Sequence, residues 1–123
     1  MLGKEYINNL ENQYQYLVDL SDYRNPIIFF GVETHEGWKS IIDDIFSKLI
    51  VLDPDKKTRV VQIKEKFGTL RFYVIHSNKK IDELIRDNET KSSSICEICG
   101  EPGRLDTIDG WHRTRCEKHW KEK

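Results

Sequence analysis

The sequence predicts an α+β fold, with helices packed on a small antiparallel hairpin or sheet and a compact C-terminal knob. Three patterns carry that expectation. Trp38, Ile41, Ile42, Ile45, Phe46, Leu49 and Ile50 repeat with the 3.6-residue period of an amphipathic helix. Val61 and Ile63, then Leu70, Phe72 and Val74, alternate with polar residues on either side of Gly68, as the two strands of a hairpin do. Three cysteines crowd into the last 28 residues, where a small unit with its own constraint is expected.

The remaining elements follow in chain order. Tyr6, Ile7, Leu10, Tyr14, Leu17 and Val18 fall three and four apart, which predicts a first helix over 6–20 that Asn25-Pro26 interrupts. Ile27 to Phe30 reads as a short buried strand, and Gly31 to Gly37 as a loop leading into the Trp38 helix. Asp53-Pro54-Asp55 stops that helix, because proline disfavours helical geometry in the residue before it. After the hairpin, Ser77-Asn78 offers an N-cap for a short helix through Ile81, Leu84 and Ile85. Its apolar face runs out by Asn88, so 88–94 reads as a frayed end or linker. Two units result, a body over 1–94 and a knob over 95–123.

Composition bounds the class. A chain of 123 residues is the size of one ordinary domain, short enough to gain from a covalent or metal staple. Hydrophobic residues make up 37% and charged residues 33%, but five Phe, five Tyr and three Trp are too many for a disordered chain. Apolar runs such as Ile27–Phe30 are too short to span a membrane, and the N-terminus carries no apolar leader, so a cytoplasmic location is expected.

Cys96-Glu97-Ile98-Cys99-Gly100 has the form of a zinc knuckle. Two thiolates three positions apart reach one metal when the turn between them is tight, and Gly100 permits the left-handed backbone that follows. Cys116-Glu117-Lys118-His119 supplies two more donors on one face of a helical turn. Between the halves, Pro102-Gly103 turns the chain, and Leu105 and Trp111–Arg115 form a hairpin around Asp109-Gly110. Knuckle, hairpin and ligand-bearing helix together describe a treble clef around Zn2+. Four protein donors leave no open position for a reacting water, so the metal is expected to be structural. His112, four residues before Cys116, is the competitor to His119 as fourth ligand.

Formal net charge is −1, which gives no general affinity for polyanions. Residues 59–78 hold 4 basic residues against 1 acidic and are the single basic island, whereas residues 1–58 hold 6 against 10. Lys64, Lys66, Arg71 and Tyr73 share the outer face of the predicted hairpin and could bind phosphates or an acidic partner. Trp111, Arg113 and Arg115 could extend that surface onto the knob as partner anchors, although Trp111 could equally cover the knob's small core. Glu33, His35 and Glu36, with Asp43 and Asp44 behind them, could gather acid–base chemistry, against the plainer reading of a solvated loop. Asp106, Asp109 and His112 do not stand in the order that a His-Asn-His type nuclease needs.

Gly37-Trp38, Lys64-Glu65-Lys66-Phe67-Gly68-Thr69-Leu70-Arg71-Phe72-Tyr73, Cys96-Glu97-Ile98-Cys99-Gly100-Glu101-Pro102-Gly103 and Gly110-Trp111 with Thr114, Cys116 and His119 together resemble a family of small, largely uncharacterised proteins of bacteria and their phages. The resemblance covers about residues 31–119, and Thr69 stands where that family often has a second glycine. It implies a cytoplasmic protein with helix, hairpin, second helix and zinc knob, often carried by phages as an accessory gene, with no enzymatic role. The expected function is therefore non-catalytic binding of a protein partner. Nucleic-acid binding through the hairpin and knob is the second expectation, and a degenerate nuclease or a hydrolase using Glu33, His35 and Glu36 the third.

Overall fold

The computed structural model describes residues 2–21 and 25–121, so Met1, Asp22, Tyr23, Arg24, Glu122 and Lys123 of the two predicted units lie outside it. Its architecture is α+β. In chain order the elements are α1 (Gly3–Gln13), α2 (Pro26–Phe30), β1 (Val32–Glu33), a 3-10 turn (Glu36–Trp38), α3 (Lys39–Leu52), β2 (Arg59–Lys66), β3 (Thr69–Ile75), α4 (Lys79–Ser92), β4 (Arg104–Ile108), β5 (Trp111–Arg115) and α5 (Glu117–Lys121). β1, β2 and β3 make one sheet and β4 and β5 a second.

The hairpin forms as its alternation requires, with Ile63 opposite Phe72 and Lys64 opposite Arg71. Its loop has only two residues, Phe67 at φ 54° and Gly68 at φ 87°, between the paired Lys66 and Thr69. Two positive φ angles in a two-residue loop are the signature of a type I′ turn. The register slips between Val60 and Gln62, and that bulge corrects the expected pattern. Val60 is fully buried in place of Val61, which is half-buried.

α3 buries Ile41, Ile42, Ile45, Phe46 and Leu49 against the sheet, while Ile50 turns outward. Phe46 stacks on Tyr14 at 5.2 Å and meets Phe72 edge-on at 5.4 Å, so three elements share one aromatic contact. α4 starts at Asn78, whose side chain accepts the Ile81 N–H at 3.0 Å. It continues to Ser92 rather than fraying at Asn88, and the reason is its contact with β3. Ser92 Oγ accepts the Leu70 N–H and the Glu89 carboxylate accepts the Phe72 N–H, both at 2.9 Å. Polar side chains thus cap the outer edge of β3, which would otherwise invite strand pairing.

Three N-terminal expectations are corrected. α1 ends at Gln13 instead of running to residue 20, because Leu17 and Val18 enter the core from turns and the Leu17 carbonyl accepts the Val60 N–H at 2.8 Å. Residues 26–30 are helix, not strand. Asn25 accepts the Ile27 N–H at 3.1 Å, Pro26 occupies the first turn and Gly31 closes the end at φ 59°, an N-terminal proline and C-terminal glycine arrangement. The segment 31–37 is not all loop, since Val32 and Glu33 pair in parallel with Ile63 and Lys64.

Asp53 fastens the end of α3 to the start of β2. It is nearly buried, and its carboxylate accepts the N–H groups of Thr58 at 3.0 Å and Lys57 at 3.3 Å. Burial opposes its charge, but the N–H donors, Thr58 first, outweigh that and hold its pKa below the usual value. A carboxylate depressed in the folded state contributes stability that is present above its unfolded pKa, about 3.9, and is lost as pH falls through the folded value. Asp53→Asn is expected to cost about 1–3 kcal/mol at neutral pH. In urea unfolding, the gap between wild type and variant should narrow below about pH 4.

Candidate metal centre

The knob follows the predicted order of knuckle, hairpin and short helix. Gly100, at φ 82°, returns its N–H to the Cys96 carbonyl at 2.9 Å, and the Cys96 N–H reaches the Glu101 carbonyl at 2.8 Å. β4 and β5 pair from Arg104–Arg115 to Ile108–Trp111 around Asp109 and Gly110, both at positive φ. Cys116 leads into α5, which carries His119.

These pieces bring together the four expected donors. The ligand atoms of Cys96, Cys99, Cys116 and His119 all lie within 4.8 Å of one another, and the group could hold a metal ion. Cys99 and Cys116 sulfurs are 3.7 Å apart, and His119 Nδ1 lies 3.1 Å from the Cys116 sulfur and 3.5 Å from that of Cys96. A tetrahedral shell with metal–sulfur bonds of about 2.3 Å and metal–nitrogen bonds of about 2.0–2.1 Å has edges of about 3.8 Å and 3.6 Å. These three separations lie within about 0.5 Å of such edges, so the group could hold one metal ion. Cys96 is buried, which works against its thiolate, but backbone N–H groups led by that of Cys116 bring its pKa down to about 6. For the exposed Cys99 the Glu101 N–H is the largest single influence and lowers the pKa, but desolvation and the Cys96 and Cys116 thiols together outweigh it and the value is raised.

His112 does not join the cluster. Its Nδ1 lies 2.7 Å from Thr107 Oγ1, and its ring meets Phe67 edge-on at 5.9 Å. Trp111 is 66% exposed and therefore does not cover the core of the knob. Trp120 packs within the knob instead, donating to the Arg104 carbonyl at 3.3 Å beneath the Arg104 guanidinium.

The knob is seated on the body through main-chain contacts. Gly37 N–H donates to the Glu97 carbonyl at 2.7 Å and Trp38 Nε1 to the Ile95 carbonyl at 2.8 Å, while within the knob Glu97 N–H donates to the Thr114 carbonyl at 3.0 Å. Thr114, fully buried, donates through Oγ1 to the Gly68 carbonyl at 2.7 Å. Between the two parts opens a cleft of about 540 Å³. The body lines it with Glu33, His35, Glu65, Lys66 and Phe67, and the knob with Glu97, Gly110, Trp111, His112, Arg113 and Arg115.

Several candidates that were separate in sequence thus meet in one place. Lys66, Trp111, Arg113 and Arg115 converge on the cleft, as do Glu33 and His35. Lys64, Arg71 and Tyr73 stay on the adjoining outer face of the sheet, where Lys64 opposes Arg71 and Gln62 opposes Tyr73. Of the acid–base group only Glu33 and His35 reach the cleft: Glu36 lies exposed in the 3-10 turn, Asp43 takes the Tyr6 hydroxyl, and Asp44 pairs with Lys48 at 3.1 Å. Asp106 pairs with Arg104 at 3.6 Å.

Sequence reasoning missed Glu65, Phe67 and Glu97. Glu97 sits between the two knuckle cysteines, where it passes for a spacer, yet its carboxylate accepts the His35 N–H at 3.2 Å across the body–knob boundary. Burial is the largest influence on Glu97 and raises its pKa, against the His35 N–H and the charges of Arg115 and Arg113. Burial also lowers the pKa of His35.

The fold and its cluster define the class: a small α+β protein with a C-terminal Cys3His site. Beyond that class the comparisons are silent, since no family model, curated protein or solved structure matches the chain.

Proposed function

We propose that this chain is a zinc-stabilised, non-catalytic binding protein that grips a protein partner in the cleft between body and knob. One observation carries the reading: the display of Phe67. A bulky side chain at φ 54° is strained, and Phe67 occupies that conformation while 63% exposed at the cleft mouth. Asparagine or glycine would make the same turn without strain, and the ring's few contacts within the fold, edge-on to His112 and under Lys66, leave most of it open to a partner. Trp111, equally exposed, stands on the knob side. Aromatic residues at a cleft beside arginines are the usual anchors of protein interfaces.

Zinc is the metal best matched to three thiolates and an imidazole at tetrahedral spacing, and four protein donors leave it a structural role. The resemblance to small bacterial and phage proteins supports an accessory factor in the cytoplasm that modulates a host or defence protein.

Nucleic-acid binding is the second reading, favoured by Lys66 over the Phe67 ring and Arg113 over the Trp111 ring, cations interleaved with aromatics. Glu33, Glu65 and Glu97 in the same cleft oppose it, because a phosphate backbone would lie close to all three.

Crosslinking capture from bacterial cells tests the first reading. Wild type should enrich a protein that Trp111→Ala loses, with metal content unchanged. Identical captures by the two chains would remove the cleft from the function, and loss of the captured material to nuclease would favour the second reading.

A further inference from the structure

Resting on the proposal that the cleft grips a protein, we infer that it takes an extended, sparsely acidic segment of the partner. A carboxylate would be held by Arg113 and Lys66, and a neighbouring apolar side chain would rest against Phe67 and Trp111.

The placement and exposure of the charged groups, not net charge, point this way. The cleft holds three carboxylates and three cations, and formal charge alone would choose no partner. Each carboxylate already has an N–H donor from the protein. Glu97 takes the His35 N–H at 3.2 Å, Glu65 the Gly68 N–H at 2.7 Å, and Glu33 the Gln62 side-chain amide at 3.4 Å. The cations are engaged less closely: among the described residues none of Lys66, Arg113 and Arg115 forms an ion pair, and Arg113 and Arg115 act on Glu97 only at longer range. Lys66 stands 5.5 Å from the Phe67 ring centre and Arg113 stands 5.6 Å from that of Trp111. Arg115 gives one nitrogen to the His119 carbonyl at 3.3 Å and keeps a buried Nε without a partner. Glu97 is moreover buried and Glu33 and Glu65 are half-buried, whereas Lys66 is exposed beside Phe67, so the cleft presents a cation rather than a carboxylate at its accessible edge.

The position of Arg113 also suits this task. Its guanidinium lies over the Trp111 ring at cation–π distance, and a guanidinium can bind a carboxylate through two N–H groups at once. Phe67 and Trp111, exposed at the mouth, supply apolar area beside those donors. A partner with a charge on every residue would crowd the three carboxylates of the wall, whereas spaced acids avoid them.

The test is fluorescence anisotropy with the zinc-loaded full chain and three labelled probes: a capped octapeptide alternating glutamate with leucine, the same peptide with lysine for glutamate, and a short oligo-dT. The glutamate peptide should bind, and the other two should bind at least about tenfold more weakly. Arg113→Ala and Arg113→Lys should each lose about tenfold or more in affinity for it, the second because lysine cannot make the bidentate contact. Phe67→Asn should also weaken binding, while its melting temperature does not fall. The inference is overturned if the lysine peptide binds equally, if oligo-dT binds more tightly, if Arg113→Ala binds like wild type, or if no probe binds. In the last case a Trp111-dependent crosslink would leave the broader binding reading standing.

Discussion

Removing the metal from the folded chain is expected to melt the knob while the body keeps its core. The buried apolar cluster consists of residues from the helices, turns and sheet of the body, and Ile95 alone reaches it from the knob side, at its edge. β4 has no buried residue and α5 has none either, so little apolar burial opposes unfolding there once the four donors are released. A strong chelator should therefore open the knob as a separate unit of low stability. In hydrogen exchange the Glu97 and Gly37 amides should lose protection well before those of α3. Purified wild type should carry about one zinc per chain, and a content below about half an equivalent would contradict the site. Cys99→Ala and His119→Ala should lose most of the metal, whereas His112→Ala should keep it, because His112 is held on Thr107 away from the cluster. Full retention in Cys99→Ala would sink the four-ligand reading. Loss of α3 protection together with the knob would show that the two parts unfold as one.

Local chemistry was legible in the sequence wherever a pattern repeats within one element. The period of α3 holds as far as Leu49, the alternation of β2 and β3 holds outside the bulge at Val60–Gln62, and the four spaced donors of the knob come together. What stayed hidden depends on contacts made across the chain. Leu17 reads as a helical residue until its carbonyl is seen to accept from Val60. Asn25-Pro26 reads as a breaker, although the same pair starts a helix when a glycine lies five residues on. Ser92 and Glu89 read as the polar end of α4, and only the open edge of β3 shows what they cap. The cleft is the extreme case. Its body half comes from residues 33–67 and its knob half from residues 97–115, and no local pattern records that they face each other. The one available signal was Phe67, a bulky residue before a turn glycine where the turn chemistry asks for asparagine or aspartate.

Gly37→Ala should separate the metal from the cleft. Gly37 lies where the body backbone touches the knuckle, and an added Cβ would stand 2.1 Å from the Cys96 carbonyl oxygen and 2.5 Å from the Glu97 carbonyl carbon. Both are main-chain atoms of a tight turn, so no side chain can swing aside to relieve the overlap. The knob must move by more than an ångström, or the 3-10 turn must shift with Trp38 behind it. Either way the Gly37–Glu97, His35–Glu97 and Trp38–Ile95 hydrogen bonds are strained together. The expected cost is about 3 kcal/mol or more, in the range that marks a backbone clash in a packed region. Zinc should stay bound, because all four donors lie in the knob and none comes from Gly37 or its element. Partner binding should fall, since the two walls of the cleft no longer meet. Gly3→Ala, away from the cleft, is the control: no atom lies within 4 Å of its Cβ position, so only the φ of 60° is penalised, at about 1–2 kcal/mol. Calorimetry, metal content and peptide anisotropy on the two variants distinguish the effects. Unchanged stability and binding in Gly37→Ala would mean that this contact is not what seats the knob, and the cleft would then lose its structural basis as a single site.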